Sequence, residues 1–345
     1  MEKLPILAIT MGDPAGIGPE IVAKSFMEDR VYEQCRPIVT GDASIMERAV
    51  KLLNLPLKVN AVSTVSDAKF ERGTMDVYDL KCCNADTLKF GEVQAEAGNA
   101  AFLAITTAID LAMKNEVDGT VTAPLNKAAL NLAGHHFDGH TEIYAHFTGT
   151  KKYAMLLADA NMRVIHVSTH VSLREACDRC KKERIIEVTE LINDACEMFG
   201  IENPRIGIAG LNPHSSDNGL FGWEEEKEII PAVEELKKRG FNVDGPVPPD
   251  TLFAKAKCGQ YDGCVAMYHD QGHIPFKVVG FNWNKETGKM ETVEGVNITL
   301  GLPIIRVSVD HGTAFDVAGK GIASPDALLL SIDYASKMAK NRKKA

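Results

Sequence analysis

The sequence predicts a two-lobed α/β protein built around a largely parallel sheet. Its 345 residues are more than twice the length of a usual domain of about 150 residues, which favours two lobes. Short β-branched runs alternate with longer amphipathic stretches. In one such stretch, which ends at Gly200, apolar residues recur at helical spacing. This alternation is typical of α/β folds.

Composition and charge exclude several classes of protein. The 45% hydrophobic and 25% charged content argues against disorder, collagen-like repeats and coiled coil. A net charge of −9 argues against a nucleic-acid partner. No apolar run approaches the roughly 18 residues of a membrane helix, so we expect a cytoplasmic protein without a membrane partner. The eight cysteines lack the regular spacing of a disulfide-rich protein, and we expect them to be reduced thiols.

Seven segments are predicted as strands, each followed by a polar or Gly-rich loop. They are Ile6–Thr10, 37–40, Gly119–Thr122, 163–168, 205–209, 264–268 and 304–309. Ligands in open α/β sheets bind beyond the carboxyl ends of strands, so these loops are where we look for a site. No linker in the sequence marks a boundary, and we place the lobes by motif, as residues 1–133 plus 303–345 and residues 134–302.

Three predicted strands lead to a histidine, at His170, His214 and His269. Neutral imidazoles that converge there would bind a divalent metal and leave coordination positions open for a substrate hydroxyl or carbonyl. The intervals between them match no local metal motif, so the prediction depends on their shared topological position. His311 also follows a strand, and a loop histidine is often a surface or hydrogen-bonding residue, so that alternative stays open.

Two loops could bind an anion. The Gly-rich loop at 12–20 follows the first strand and opens a helix, with Pro19 suited to the first turn, but it lacks the G-x-G-x-x-G pattern of a Rossmann site. A bare strand-to-helix turn is the alternative. His140 and Thr141 stand at the start of another predicted helix, where free backbone N–H groups favour carboxylate or phosphate, although N-capping by Thr141 is the simpler account.

Two basic residues are further candidates for the site. Lys277 follows the run 269–276, and Arg306 lies inside an apolar run at 302–307. An arginine flanked by aliphatic residues in a strand must find an anion or face solvent. Substrate binding, an internal salt bridge and the exposed side of the strand are all open for Arg306.

Six motifs are spread along nearly the whole chain. They are Met-Gly-Asp-Pro-Ala-Gly-Ile-Gly-Pro-Glu at 11–20, Thr-Ala-Pro-Leu-Asn-Lys at 122–127, Gly-His-Thr-Glu at 139–142, Leu-Asn-Pro-His at 211–214, Met-Tyr-His-Asp-Gln-Gly at 267–272 and Gly-Val-Asn-Ile-Thr-Leu-Gly-Leu-Pro at 295–303. Together they resemble the 4-hydroxythreonine-4-phosphate dehydrogenase family. Residues 310–323 also resemble the adenosine-contacting loop of isopropylmalate and isocitrate dehydrogenases, whose fold that family shares, and this explains the missing Rossmann pattern.

The resemblance implies roles for individual residues and an NAD-dependent homodimer. Its metal ligands fall on His170, His214 and His269, its substrate contacts on His140, Thr141, Lys277, Asn297 and Arg306, and its cofactor contacts on His311, Gly312, Thr313 and Ala314. In the family, one metal histidine comes from the neighbouring subunit. A monomer should therefore be inactive.

Departures from the family pattern bear on the substrate. The vitamin B6 enzymes generally have Ala-Gly-Glu after the second metal histidine, where this chain has Ser-Ser-Asp at 215–217, and the segment 281–294 is longer here. These features and the Gly-His-Ile-Pro at 272–275 are more similar to the branch that converts D-threonate or D-erythronate 4-phosphate to dihydroxyacetone phosphate. We predict this branch, with 4-phosphohydroxythreonine dehydrogenase of pyridoxal phosphate biosynthesis as the alternative.

The predicted reaction is an oxidative decarboxylation. NAD⁺ takes hydride from the C3 carbinol, and the resulting β-keto acid loses CO₂, with Zn²⁺, Mg²⁺, Mn²⁺ or Co²⁺ as Lewis acid. Lys277 and Asp270 are the predicted catalytic residues, and Lys277 is assigned proton transfer because a neighbouring cation favours a neutral lysine. A metal-dependent phosphatase and a non-catalytic sugar-phosphate sensor are remote alternatives, since the first leaves the 310–323 loop without a role and the second lacks an output module.

Overall fold

The computed structural model describes residues 4–159, 162–280, 282–285, 289–291 and 295–342. They form two compact units, Met1–Lys151 with Leu302–Arg342, and Lys152–Gly301. The strands, in chain order, are β1 (Ile6–Thr10), β2 (Arg36–Gly41), β3 (Lys58–Val62), β4 (Thr74–Asp79), β5 (Gly119–Thr122), β6 (Ala154–Ala158), β7 (Arg163–His166), β8 (Ile206–Ala209), β9 (Val243–Val247), β10 (Gly263–Ala266), β11 (Asn282–Asn284), β12 (Lys289–Glu291), β13 (Val296–Leu300) and β14 (Arg306–Val309).

The α-helices are α1 (Gly18–Ser25), α2 (Asp29–Gln34), α3 (Ala43–Leu52), α4 (Ala95–Met113), α5 (Lys127–Leu132), α6 (His140–Thr148), α7 (Leu173–Arg179), α8 (Lys182–Met198), α9 (Ile230–Lys238), α10 (Pro249–Lys257), α11 (His269–Gly280) and α12 (Asp326–Asn341). A π-helical turn at Glu225–Ile229 leads directly into α9. Among the helices of the described residues, none combines the length and the apolar character that crossing a membrane requires.

The first unit contains six parallel strands in the order β3-β4-β2-β1-β5-β14. Their register aligns Thr122 of β5 with Thr10 on one side and with Ser308 on the other. The loops that follow β1, β5 and β14 therefore leave the same edge of the sheet. These are the loops that carry the Gly-rich segment, the 122–127 motif and the predicted cofactor residues.

The second unit has six neighbouring strands in the order β13-β6-β7-β10-β8-β9, in which β6 runs antiparallel to both of its neighbours. The pairings of β10 with β7 and β8, and of β8 with β9, are parallel. Ala266 pairs with His166, so the carboxyl ends of β7 and β10 lie side by side. A separate antiparallel pair, β11 and β12, falls within the longer segment 281–294, whose remaining residues apart from 285 lie outside the described residues.

Residues 134–151 group with the first unit, whereas the sequence placed the boundary after residue 133. Ile143 and Tyr144 of α6 are fully buried in a core cluster with Ile105 of α4 and Ile304. Burying such side chains stabilises the fold by about 1.5–3 kcal/mol each. This apolar face packs α6 against the first unit. The sequence contains no linker-like segment that would have indicated this boundary.

The predicted α/β class and the largely parallel sheet are confirmed, and all seven predicted strands are present with ends displaced by two residues at most. Helix α1 begins at Gly18 with Pro19 in its first turn, as predicted. The prediction that Thr141 caps a helix is wrong. Helix α6 starts two residues earlier than a Thr141 cap requires, with Gly139 as N-cap, because the Gly139 carbonyl already accepts the first helical hydrogen bond from Ile143 at 3.2 Å.

Candidate active site

A buried guanidinium lies beside the carboxyl end of β5. Arg306, the first residue of β14, is 3% exposed, and its Nη2 donates to Thr122 Oγ1 at 3.1 Å. Its Cζ lies 5.7 Å from the centre of the Tyr144 ring, whose hydroxyl donates to Thr120 Oγ1 at 3.0 Å. The exposed side of the strand, one of the three alternatives for Arg306, is thereby ruled out.

Two basic groups are crowded together at this position. Burial lowers the pKa of Arg306 to about 10, although Tyr144 and Glu142 partly offset it. Burial and the Arg306 charge hold the pKa of His140 well below its usual value. The Nε2 atom of His140 is buried and makes no hydrogen bond to any described residue. An anion at this position would accept charge-assisted hydrogen bonds from Arg306 and His140 and so offset the free-energy cost of burying these two groups. The arrangement therefore suits a phosphate or a carboxylate.

Lys127 is a neighbouring cation that the sequence analysis did not single out. It is the first residue of α5, after the N-cap Asn126, whose side chain accepts the Ala129 N–H at 2.9 Å. A Cβ atom on Gly139 would lie 3.7 Å from Lys127 Cε, which puts this side chain beside the residue that precedes His140. The signal was present, because Lys127 ends the motif at 122–127. Thr141 is half-buried in the first turn of α6.

The predicted cofactor loop packs on the N-terminal Gly-rich loop. Ile17 donates its N–H to the Thr313 carbonyl at 3.1 Å. A Cβ atom on Gly16 would meet the Thr313 Cβ and carbonyl oxygen at 2.9 Å, so only glycine permits this approach. Lys24 Nζ donates to the Gly321 carbonyl at 2.9 Å. The Gly-rich loop therefore supports the 310–323 segment, a role beyond that of a bare turn.

The four predicted cofactor residues differ in their exposure. His311 and Gly312 are exposed, while Thr313 is 8% exposed. Ala314 has a φ of 42°, in the left-handed region that non-glycine residues rarely adopt. Such a backbone persists only where its surroundings hold it, and it is common at ligand-binding segments. Cofactor contact by these residues remains a prediction.

Asp13 is a fully buried carboxyl in the Gly-rich loop. Its Oδ1 accepts the Ala15 N–H at 2.8 Å, while its Oδ2 has no hydrogen-bond partner among the described residues. Burial raises the pKa of Asp13 to about 6, although the hydrogen bond from Ala15 opposes this. Asp13, a buried carboxyl with a raised pKa, therefore lies in the same Gly-rich loop that packs against the predicted cofactor loop.

Four histidine rings cluster in the second unit. His170 follows β7 and His269 begins α11, with 6.0 Å between their ring centroids. His273 stacks on His269 at a centroid distance of 3.7 Å and an interplanar angle of 10°. His166, at the end of β7, lies 4.6 Å from His273 between centroids. Two of the three predicted metal ligands are thus neighbours, beside two histidines that the sequence analysis did not assign.

Asp270 stands where it orients one predicted ligand. His269 Nδ1 and Asp270 Oδ1 are 2.7 Å apart, the arrangement in which a carboxylate holds an imidazole and leaves its Nε2 for a metal. Lys277 follows at helical spacing from His269 and His273, so the three residues share one face of α11. Burial, His269 and Lys277 all lower the pKa of His273, to about 4.

His214 occupies a strained, exposed loop. Residues 214–218 all have positive φ, starting at 53° for His214. The buried carboxylate of Glu225 holds the start of this loop. Its Oε1 accepts hydrogen bonds from the N–H groups of Leu211 and Asn212 at 2.8 Å each. The His214 ring lies 6.5 Å from the Phe221 ring between centroids. Its exposure leaves the ring accessible to a ligand or to another chain.

The three predicted metal histidines do not come within ligating distance of one another inside the described part of this chain. Across that part, three potential ligand atoms lie within 4.8 Å of one another at Asp42, Cys82 and Cys83 instead. The ligand assignment remains a prediction.

Gln271 links the two loops that carry His214 and His269. It is 9% exposed, its Oε1 accepts the Met267 N–H at 2.7 Å, and its Nε2 donates to the Gly210 carbonyl at 2.8 Å. These are backbone groups at the carboxyl ends of β10 and β8. The signal was again a motif, since Gln271 lies inside 267–272.

Two further residues of the second unit bear on the site. A Cβ atom on Gly272 would lie 2.4 Å from His166 Nε2, so glycine makes room for that ring. Asn297 lies on β13, and its Oδ1 is buried without a hydrogen-bond partner among the residues that the structure describes. A buried amide oxygen in this state favours a ligand that can donate a hydrogen bond.

Comparison with known proteins identifies the family. The model for pyridoxal phosphate biosynthetic protein PdxA matches residues 33–335. D-threonate 4-phosphate dehydrogenase of Cupriavidus necator is 47% identical over 342 residues, which cover 99% of each chain. A 4-hydroxythreonine-4-phosphate dehydrogenase structure from Burkholderia phymatum is 45% identical with a TM-score of 0.84, covering 98% of this chain and 99% of that chain. A putative 4-hydroxythreonine-4-phosphate dehydrogenase from Salmonella typhimurium is 42% identical with a TM-score of 0.86, covering 98% and 100%. The chain therefore belongs to the PdxA family, the 4-hydroxythreonine-4-phosphate dehydrogenases that its six motifs resemble.

Proposed function

We propose that this chain is an NAD-dependent, divalent-metal-dependent dehydrogenase that converts D-threonate or D-erythronate 4-phosphate to dihydroxyacetone phosphate and CO₂. The observation that carries the proposal is the 47% identity, over nearly the whole of both chains, to a relative named D-threonate 4-phosphate dehydrogenase. A second relative with the putative form of that name, from Oceanobacillus iheyensis, is also 47% identical and covers 98% of this chain. The predicted enzyme class, oxidation of a CH–OH group, agrees with the family.

The crowded basic groups of the first unit support an anionic substrate. Arg306 and His140 are assigned to its phosphate or carboxylate, with Thr141 as a hydroxyl partner in the same helical turn. A guanidinium offers two parallel N–H groups to such an anion, and this geometry favours a phosphate or a carboxylate over a neutral ligand. Because burial and the Arg306 charge lower the pKa of His140, its neutral ring is favoured, which carries one N–H donor and one acceptor nitrogen.

The histidines of the second unit fit a divalent cation. Asp270 orients His269, His170 lies beside it, and His214 is exposed on a loop from which it can reach a neighbouring subunit. Imidazoles are ligands for Zn²⁺, Mn²⁺ and Co²⁺. We assign these three residues to the metal in a homodimer whose active sites are shared, and we assign the enzyme to the cytoplasm.

The chain's own residues would act on the substrate as follows. Lys277 holds or moves the proton of the C3 hydroxyl, helped by its position on the same face of α11 as His269. Asn297 donates or accepts a hydrogen bond at a substrate hydroxyl, and Asp270 keeps His269 in one orientation. When bound, NAD⁺ supplies the hydride acceptor and the cation supplies a Lewis acid for the C3 oxygen. His311, Gly312, Thr313 and Ala314 are assigned to the nicotinamide cofactor.

A three-substrate assay tests the proposal. The reduced enzyme, loaded with Zn²⁺ or Mn²⁺, receives NAD⁺ and in turn D-threonate 4-phosphate, D-erythronate 4-phosphate and 4-phosphohydroxythreonine. We expect NADH and equimolar dihydroxyacetone phosphate from one of the first two, with the higher kcat/KM. NADH formation from 4-phosphohydroxythreonine alone would instead establish the vitamin B6 activity. Phosphate release without NAD⁺, or ligand binding without turnover, would overturn the assignment as a dehydrogenase.

A further inference from the structure

Two adjacent cysteines form a site with a buried carboxylate, and none of its residues takes part in the proposed function. Cys82 and Cys83 follow β4, and Asp42 is the N-cap of α3. One potential ligand atom from each of these residues lies within 4.8 Å of the other two. Both cysteines are partly exposed free thiols, so the site is open to ions from solvent.

Asp42 fixes the backbone of both cysteines. Its Oδ2 accepts the N–H of Cys82 at 2.7 Å and the N–H of Cys83 at 3.1 Å. Its Oδ1 accepts the Ser44 N–H at 3.0 Å, which caps α3, and the Ser44 hydroxyl at 2.6 Å. Since the two peptide groups share one carboxylate oxygen, the backbone from which both thiols project is fixed before any ligand binds.

The surroundings of the thiols are negative. The hydrogen bond with Cys82, burial, and the charges of Asp42 and Glu96 raise the pKa of the Cys83 thiol. The same charges that disfavour a free thiolate favour a cation, which would have to displace the thiol proton. Arg48 is the nearby counter-charge, but its guanidinium donates to the carbonyls of Pro14 at 2.8 Å and Leu88 at 2.9 Å.

We propose that Cys82 and Cys83, whose backbone Asp42 fixes, chelate a thiophilic divalent cation of the Zn²⁺ or Cd²⁺ class, with the negative charge of Asp42 nearby and water completing the coordination. Two sulfur ligands at a Zn–S distance of about 2.3 Å in a tetrahedral site lie about 3.8 Å apart. The ligand atoms of Cys82, Cys83 and Asp42 already lie within 4.8 Å of one another, a separation compatible with that spacing. Each thiol releases one proton to solvent as its bond to the metal forms, so no oxidant is needed.

Cadmium titration of the reduced, metal-free, full-length protein tests the site. Cd²⁺ bound to thiolate absorbs in the near ultraviolet, whereas Cd²⁺ bound to histidine does not, so ions at the proposed catalytic metal site do not contribute. We expect this absorption to saturate at one ion per chain and the midpoint of thermal unfolding to rise on binding. Cys82→Ser and Cys83→Ser should each weaken binding at least tenfold, and the double variant should lose the absorption.

Two further variants sharpen the result. Cys258→Ser removes an exposed cysteine outside the site and should bind Cd²⁺ like the unmodified chain. Asp42→Asn keeps a residue that caps helices but loses the charge, and it should weaken binding about tenfold. Persistence of the absorption in the double cysteine variant would overturn the proposal, and so would its absence in the unmodified chain. Neither outcome bears on the dehydrogenase assay, which uses other residues.

Discussion

Replacing Arg306 with methionine should raise stability and abolish substrate binding at the same time. The fall in the Arg306 pKa from 12.5 to about 10 means that the folded protein disfavours its charge by about 3 kcal/mol, at about 1.4 kcal/mol per tenfold change in equilibrium. This cost applies at every pH below about 10 and disappears as the pH rises through the folded and then the ordinary pKa. Methionine removes the charge but also the hydrogen bond to Thr122, worth about 1 kcal/mol. We expect the free energy of unfolding to rise by about 2 kcal/mol.

The functional effect should have the opposite sign. Two charge-assisted hydrogen bonds to a substrate anion are worth about 3 kcal/mol or more, so kcat/KM should fall at least about 100-fold in Arg306→Met. Arg306→Lys is the matched control, because it keeps the charge without the planar pair of donors and should lose activity without gaining stability. Urea unfolding and NADH formation measure the two quantities. A variant that loses stability and keeps its KM would refute the argument and make Arg306 a structural residue.

Three further substitutions follow from the site. His214→Asn keeps a residue that tolerates positive φ, so stability should stay within about 0.5 kcal/mol while bound metal and NADH formation are lost. Because the Asp13 pKa is raised from 3.8 to about 6, stability should fall by up to about 3 kcal/mol as the pH rises from about 4 to above 6, and Asp13→Asn should remove that dependence. Gln271→Met leaves the Met267 N–H and the Gly210 carbonyl without their partner, so it should cost about 2–4 kcal/mol in urea and weaken metal binding.

Each of these predictions has a contradicting result. Metal retained by His214→Asn at full stoichiometry would remove His214 from the ligand set. A pH–stability profile that is identical in Asp13→Asn and the unmodified chain would show that Asp13 titrates normally. For Gln271, the control is the same substitution at an exposed glutamine, Gln260→Met. Equal losses in the free energy of unfolding in the two variants would show that the hydrogen bonds from Gln271 to Met267 and Gly210 do not stabilise the fold.

The strands that were predicted are those whose local composition decides their conformation. The β-branched run 163–168 and the alternation around Gly119–Thr122 favour extended chain whatever surrounds them. Two of the missed strands, β6 and β9, lack that local signal. Strand β6 consists of alanine, methionine and leucine, which are good helix formers, and it is extended because it pairs with β7 and β13. Strand β9 contains Gly245 and Pro246, which ordinarily mark turns.

Motifs predicted several of the candidate site residues, but they did not predict the arrangement of those residues. His170 and His269 were expected together and are neighbours, while the stacking of His273 on His269 depends on their positions on α11 and was not anticipated. The residues that precede His214 are held by Glu225, which lies in a different element. A motif identifies the residue type that chemistry requires, and it says nothing of the partner that orients the side chain.

The sequence alone determined the α/β class and the family, and it predicted which loops carry the site, because periodicity and motif are properties of short stretches of chain. Only the tertiary structure decided that Arg306 is buried beside His140, that Gln271 joins two strand ends, and that Asp42 holds Cys82 and Cys83 together. These outcomes depend on contacts between residues far apart in the chain. The burial and charge that shift a pKa or create a ligand site exist only once those contacts form.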